Sequence, residues 1–284
     1  MITVTGATGN LGQLVVRALL DRGVPADGIV AAVRNPAKGA EVAGWGVQVR
    51  AADYDRPETL GPALAGTDRL LLISGSEPGR RVPQHANVVA AAVTAGVGLI
   101  AYTSLLKADT SGLALATEHK ATEELIVESG LPHVFLRNSW YLENYTDNLA
   151  PLFEHGAQLG AAGSGRVAAA TRADFAEAAA AVLVGDGHAG KAYELGGDDP
   201  FTLAELVAEV ATQSGRSLAY QDLPAEAFAE ALTGAGQPAP LVGFLVDTDL
   251  GIARGDLTTA TGDLRSLIAR PTTPLAEAVA SALK

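Results

Sequence analysis

The chain has 284 residues, 48% of them apolar and 18% charged, which supplies a sizeable core and excludes disorder as the main state. Its 20 Lys and Arg against 32 Asp and Glu leave a net charge of −12 with no basic run, which argues against nucleic-acid binding. There is no cysteine, so disulfides, thiolate metal sites, cysteine nucleophiles and cysteine-ligated clusters are excluded.

The first 135 or so residues alternate short apolar runs with helical patterns. Ile2–Thr5 reads as a strand, and Leu11, Leu14, Val15, Ala18 and Leu19 form the apolar face of a helix that stops at Gly23. Ile29–Val33 is a second strand, followed by Asn35 and Pro36 as cap and first-turn proline. Val47–Arg50, Leu70–Ile73, Leu99–Thr103 and His133–Leu136 read as further strands, with helices at Leu60–Leu64, up to Ala95, and at Glu118–Ser129. The uncharged stretch Ala86–Leu106 is long enough to span a bilayer, but Asn87, Thr94, Gly96, Gly98, Tyr102, Thr103 and Ser104 interrupt it, so it reads as helix, turn and buried strand. Met1–Gly6 has neither the basic nor the apolar region of a secretory signal, so no membrane association and a cytoplasmic setting are expected. Continuous apolar strands separated by helices predict an α/β fold, a doubly wound parallel sheet with every strand C-terminus on one edge.

After about residue 150 the rhythm changes. Gly156–Gly165 reads as a Gly/Ala-rich loop, Asp174–Leu183 as an alanine-rich helix, Ala192–Leu195 as a strand, and Thr202–Gly215 as a helix capped by Thr202. The remainder reads as short helices broken by Gly and Pro. The expected division is a Rossmann domain over 1–150 and a smaller α-rich lobe over 151–284, with some of its segments returning to the sheet.

Gly6, Ala7, Thr8, Gly9, Asn10, Leu11 and Gly12 follow the first strand and open the first helix. There, glycines allow a tight turn and close approach to a pyrophosphate, and the helix N-terminus favours an anion. The spacing is G-x-x-G-x-x-G rather than G-x-G-x-x-G, and it gains weight from its strand–loop–helix context. An NAD site usually carries an acid at the end of the second strand. Here Arg34 follows instead, and a guanidinium suits a 2′-phosphate, with Lys38 to assist. The cofactor is therefore read as NADP(H); the alternative is that Arg34 is a solvated surface charge. Asp53 is a candidate for the adenine amino group or, equally, a helix N-cap. Ser74, Gly75 and Ser76 are candidates for the nicotinamide side of the cleft.

Carbonyl-reducing short-chain dehydrogenases carry Tyr-x-x-x-Lys. No tyrosine here is followed by lysine at that spacing. Reduction of an ordinary ketone creates a strongly basic alkoxide that needs a positioned acid. Reduction of a quinone creates a phenol-like anion, with a pKa of about 10 by analogy with tyrosine, which water can protonate. Such a reaction needs stacking and orientation more than acid catalysis. Trp140, Tyr141 and Asn144 follow the sixth strand. The two aromatics could sandwich a flat quinone and Asn144 could bond its oxygen; the alternative is that both aromatics are core packing. Arg172 reads either as a phosphate contact or as the partner of Asp174. His85, His133, His155 and His188 show no metal-ligand spacing, and no metal site is expected.

The segments Gly6–Gly12, Arg34–Lys38, Ala52–Tyr54, Tyr102–Leu106, Arg137–Tyr145, Ala169–Asp174, Lys191–Leu195 and Pro271–Leu275 resemble the NmrA-like branch of the atypical short-chain dehydrogenases, including its bacterial quinone-reducing members. The resemblance covers essentially the whole chain. It implies an NADPH-binding Rossmann domain, a small C-terminal lobe, and two-electron reduction of a small quinone without flavin. Relatives that reduce phenylpropanoid double bonds carry a catalytic lysine eleven residues before a Gly-Leu/Ile-Pro turn. Counting back from Gly130 gives His119 instead, which argues against that chemistry and makes His119 a candidate weak acid or nicotinamide-pocket residue, or a packed helix histidine. The competing reading is an NADP(H)-binding redox sensor without turnover. A sugar-nucleotide epimerase or dehydratase is disfavoured by the missing Tyr-x-x-x-Lys. A homodimer is compatible with the sequence.

Overall fold

The computed structural model describes all 284 residues. Six parallel strands arise in the first half: β1 (Ile2–Thr5), β2 (Ile29–Val33), β3 (Gln48–Ala51), β4 (Arg69–Leu72), β5 (Leu99–Leu105) and β6 (His133–Asn138). Lys191–Leu195 joins as a seventh parallel strand beside β6. The spatial order is β3, β2, β1, β4, β5, β6 and then Lys191–Leu195. The chain thus winds outward from β1 in one direction and then from β4 in the other. The crevice at this switch point is where ligands bind in doubly wound sheets.

Burial explains why the central strands read as unbroken apolar runs. All five residues of β2 and all seven of β5 are buried, because helices cover both faces of the sheet. On one face, helix α1 (Asn10–Asp21) packs with helix Arg172–Val184. The latter buries Phe175, Val182, Leu183 and four alanines. Its small side chains let it settle against α1 and the sheet, where a bulkier helix would be held off. On the other face lie Leu60–Leu64, Arg81–Ala95 and Ala114–Glu128. A third apolar cluster, including Leu105, Leu142, Val167, Phe201, Val207 and Ile252, joins the C-terminal half to the ends of β5 and β6.

The expected helices and strands are present with shifts of a few residues. The helix expected from Glu118 begins at Ala114, and β5 and β6 each run two residues further than their apolar runs suggest. Thr202 caps the helix Leu203–Ser214, with Glu205 completing a reciprocal capping box. One expectation is corrected. Gly156–Gly165 is not all loop: Ala157–Gly160 pairs in parallel with Ala219–Asp222. A strand of Ala, Gln, Leu and Gly carries no β-branched signal, and its partner lies far along the chain, so only tertiary pairing creates it. No helix is long and apolar enough to cross a membrane.

Asp174 ties the helix Arg172–Val184 to the C-terminal segment. It is fully buried, accepts from the backbone N–H of Thr273 at 3.0 Å, and pairs with Arg270 at 2.7 Å. Asp174→Ala removes these bonds, leaves the half-buried Thr273 N–H without its partner and opens a space in the buried interface. It is expected to cost about 3 kcal/mol, measurable as a lower urea midpoint. A midpoint equal to that of the unaltered protein would contradict this account.

Candidate functional site

The C-terminal ends of the strands open into a cavity of about 1190 Å³, more than the roughly 300–1,000 Å³ of a typical small-ligand pocket. One end is walled by the glycine loop. The other is walled by Phe228 and Leu232 of the helix Ala225–Gly234 and by Phe244, Leu245 and Asp249 of the helix Ala239–Arg254.

The loop is shaped by its glycines. Gly6 has φ +59°, in the left-handed region that favours glycine, and its carbonyl accepts from Gly9 N–H at 2.9 Å. A Cβ on Gly12 would lie 2.3 Å from the Gly6 oxygen and 2.7 Å from the Ala7 Cα, so only glycine lets α1 start this close to β1. Gly9 caps α1 without a side-chain hydrogen bond, so the first-turn N–H groups face the cavity. This cradle fits a dinucleotide pyrophosphate. Gly6, Thr8, Gly9, Asn10, Leu11 and Gly12 all line the cavity. Ala7 instead is fully buried beneath the loop.

Arg34 lines the cavity just past β2, and its guanidinium bonds Glu77 at 3.1 Å. Glu77 also meets Arg80 at 3.5 Å and lies 3.4 Å from Gln84 Nε2. Lys38 ends the following short turn, is exposed and lies outside the cavity wall. Asp53 lines the cavity, but it caps no helix: its carboxylate accepts from Asp55 N–H at 3.1 Å in a local turn, and Arg56 precedes the next helical turn.

Ser74, Gly75 and Ser76 all reach the wall. Behind them lies a polar layer that the sequence did not reveal. The buried Arg81 donates to Ser74 Oγ at 2.8 Å and pairs with Glu118 at 2.5 Å. Gly75 N–H donates to His85 Nε2 at 3.0 Å, which leaves the ring proton on Nδ1, facing Thr122 Oγ1 at 3.0 Å. His119 lines the cavity, and its Nδ1 lies 2.8 Å from the hydroxyl of the buried Tyr102. Burial, reinforced by the Arg81 charge, pushes both His85 and His119 down to about 3. Burial thus favours the neutral imidazole of His119 near neutral pH.

Trp140, Tyr141 and Asn144 come together on the same wall. Trp140 stacks on Phe244, with centroids 6.0 Å apart and planes inclined by 27°. Tyr141 plays a more structural part: it packs edge-on against Phe175 at 5.4 Å, and Arg172 covers its ring at 5.3 Å. Arg172 does not pair with Asp174. Its side chain bonds Asp147 at 2.8 Å and approaches Asn144 Oδ1 at 3.4 Å, while its backbone N–H donates to Glu143. Asp174 points inward to Arg270 because the helix between them turns it to the buried face. The missed wall residues Glu77, Phe244 and Asp249 carried no local signal. Arg81 carried a faint one, as the second of two arginines opening a helix.

A family model described as NAD(P)H-binding matches residues 6–185. The chain belongs to this NAD(P)H-binding, NmrA-like family, as the resemblance of its motifs implied. It is 51% identical to quinone oxidoreductase 2 of Escherichia coli over 98% of this chain and 97% of that one. The crystal structure of the NADPH-dependent quinone oxidoreductase QOR2 of Escherichia coli complexed with NADPH superposes with TM-score 0.97 at 50% identity, over all of both chains. The Citrobacter sp. triphenylmethane reductase complexed with NADP(H) superposes with TM-score 0.94 at 41% identity, over 99% of this chain and 100% of that one.

The two depressed histidines give the protein an acid-sensitive stability. Between pH 6.5 and about 3 the unfolded chain binds protons at these rings that the folded chain does not. Stability therefore rises with pH through that window, by up to about 1.4 kcal/mol per unit for each ring. His119→Gln is expected to reduce the loss of stability between pH 6 and pH 5 by about 1 kcal/mol, measured by urea unfolding at both pH values. An unchanged loss would mean that the ring titrates normally in the folded protein.

Proposed function

We propose that the chain catalyses NADPH-dependent two-electron reduction of quinones by direct hydride transfer, without a flavin. The observation that carries this reading is one continuous cavity running from the glycine cradle to the Trp140–Phe244 stack, with no Tyr-x-x-x-Lys acid couple on its wall. The activity named for the Escherichia coli relative supports it. A cytoplasmic setting accords with it, because NADPH is regenerated there.

In this reading Gly6, Thr8, Gly9, Asn10, Leu11 and Gly12 hold the pyrophosphate, with Ala7 supporting them from below. Arg34 takes the 2′-phosphate by a charge-assisted fork. Asp53 lies toward the adenine, and Ser74, Gly75 and Ser76 border the nicotinamide. The nicotinamide, when bound, supplies the hydride. Trp140 and Phe244 orient a flat acceptor by stacking, and Tyr141 holds Arg172 beside Asn144. Asn144 supplies a hydrogen bond to the acceptor. His119 acts as a neutral imidazole: with Nδ1 facing Tyr102, its Nε2 can present an N–H toward the cavity. A phenol-like product anion asks for no stronger acid than water.

Anaerobic stopped-flow mixing with NADPH and duroquinone tests the reading. Quinone-dependent NADPH oxidation well above the uncatalysed rate is expected. Tight NADPH binding without such oxidation would favour a redox sensor instead. Arg34→Ala is expected to weaken NADPH binding about tenfold, the scale of one charge-assisted contact, while leaving NADH binding nearly unchanged. Equal losses for the two nucleotides, measured by fluorescence titration, would refute the role given to Arg34.

A further inference from the structure

An acid that accepts from the ribose 2′-hydroxyl usually stands at the end of the second strand of an NAD site. Ile29–Val33 supplies none, and Arg34 follows it. The fold brings an acid from elsewhere. Glu77 lies between β4 and the helix Arg81–Ala95, and its Oε1 accepts from the Arg34 guanidinium at 3.1 Å. Because β1 lies between β2 and β4, this pair joins the segments on either side of the glycine loop. Arg34 and Glu77 line the cavity together with Gly6, Gly9 and Gly12. Their side chains are 71% and 38% exposed, so both are open to a ligand.

The other oxygen of Glu77 is only loosely engaged. Oε2 lies 3.5 Å from Arg80 and 3.4 Å from Gln84 Nε2, near the long limit of a hydrogen bond, and so keeps acceptor capacity. Arg80 and Gln84 are held more closely by Asp55, at 2.7 and 3.1 Å. On the other side, Gly79 N–H donates to Glu118 at 2.9 Å, and Glu118 pairs with the buried Arg81. The segment carrying Glu77 is thus tied both to the turn after β3 and to the helix Ala114–Glu128. An acceptor placed in advance in this way loses little freedom when a ligand arrives.

We propose that Glu77 is the acid of the ribose site, supplied from the fourth strand instead of the second, and that with Arg34 it sets the choice between the two nicotinamide nucleotides. The proposal rests on the reading of Arg34 as the 2′-phosphate contact and adds a specificity-determining residue to it. A ribose 2′-hydroxyl donates to Glu77 while Arg34 stays paired, because a carboxylate offers about four acceptor positions. A 2′-phosphate brings about −1.5 to −2 charges. It takes the Arg34 fork, and the carboxylate that had held this fork repels it. Glu77 therefore favours NADH and opposes NADPH, whereas Arg34 favours NADPH. The protein uses both nucleotides, with a preference for NADPH narrower than Arg34 alone would give.

Glu77→Ala and Glu77→Gln in the full chain test this, each titrated with NADPH and with NADH by nucleotide fluorescence. Glu77→Ala is expected to weaken NADH binding about fivefold, the scale of one hydrogen bond. The same variant is expected to tighten NADPH binding about threefold, the scale of one partly exposed charge pair. Glu77→Gln keeps an acceptor without the charge, so it is expected to retain the NADPH gain and recover part of the NADH loss. In about 1 M salt, where charges are screened within about 3 Å, the NADPH gain is expected to vanish and the NADH loss to remain. Weaker binding of both nucleotides would mean that Glu77 only shapes its segment, and would overturn the proposal, as would an unchanged NADH Kd in Glu77→Ala. The test needs no turnover, so a failure to reduce quinones leaves it standing. If Arg34→Ala weakens both nucleotides equally, the role of Arg34 fails by itself, and the NADH Kd of Glu77→Ala still decides that of Glu77.

Discussion

The approach of Gly12 to the Gly6 carbonyl governs the ligand edge of this molecule. No side chain fits between them, since even a Cβ would come within 2.3 Å of the Gly6 oxygen. That contact fixes where α1 starts relative to β1. It therefore fixes where the helix N-terminus aims its free N–H groups. Because β1 lies between β2 and β4, the same contact sets the distance from the pyrophosphate cradle to Arg34 on one side and to Ser74 on the other. The alanine-rich helix Arg172–Val184 packs on α1 from outside, so its small residues hold α1 in that position. The buried Asp174 in turn anchors the helix to the segment around Thr273.

Features carried by local chemistry were legible in the sequence, and those carried by distant contacts were not. β2 could be read because a strand buried on both faces must be apolar throughout. The glycine loop could be read because its turn and its close approach each demand a missing side chain. Thr202 could be read as a helix cap because its short hydroxyl side chain suits that position, and the structure adds Glu205 as the reciprocal half of the box. By contrast, Ala157–Gly160 is a strand only because Ala219–Asp222 lies beside it, and nothing in Ala-Gln-Leu-Gly encodes that partner. Phe244 reaches Trp140 across about a hundred residues of chain. Arg172 read as either a phosphate contact or the partner of Asp174, and its actual partner Asp147 lies on another segment that spacing along the chain could not indicate. His119 could be located by counting, but its neutrality depends on burial and on Arg81, which only the fold brings together.

Charge at the adenosine end follows a different logic from charge at the substrate end. The Arg34 side chain is 71% exposed and its bond to Glu77 is an open surface pair, a type worth about 0–1 kcal/mol. A phosphate offering several acceptor oxygens can share or take over that guanidinium at little cost, so Glu77 tempers the positive site without closing it. Such tempering suits an acidic chain, in which a free arginine at a cleft mouth would otherwise draw any anion. At the substrate end His119 and its partner Tyr102 are buried, so the polar contact between them weighs more than a surface pair and favours the neutral ring.

A flat acceptor held between Trp140 and a nicotinamide has its position along the stacking direction fixed, but stacking alone leaves it free to rotate in its own plane. Polar contacts at the rim must stop that rotation. Asn144 and Tyr145 sit one residue apart on the same short helix, yet Asn144 is exposed and approached by Arg172 whereas the Tyr145 hydroxyl is buried and unpartnered. Of the two, only Asn144 is open to such a contact, and Arg172 beside it fixes where its amide can point.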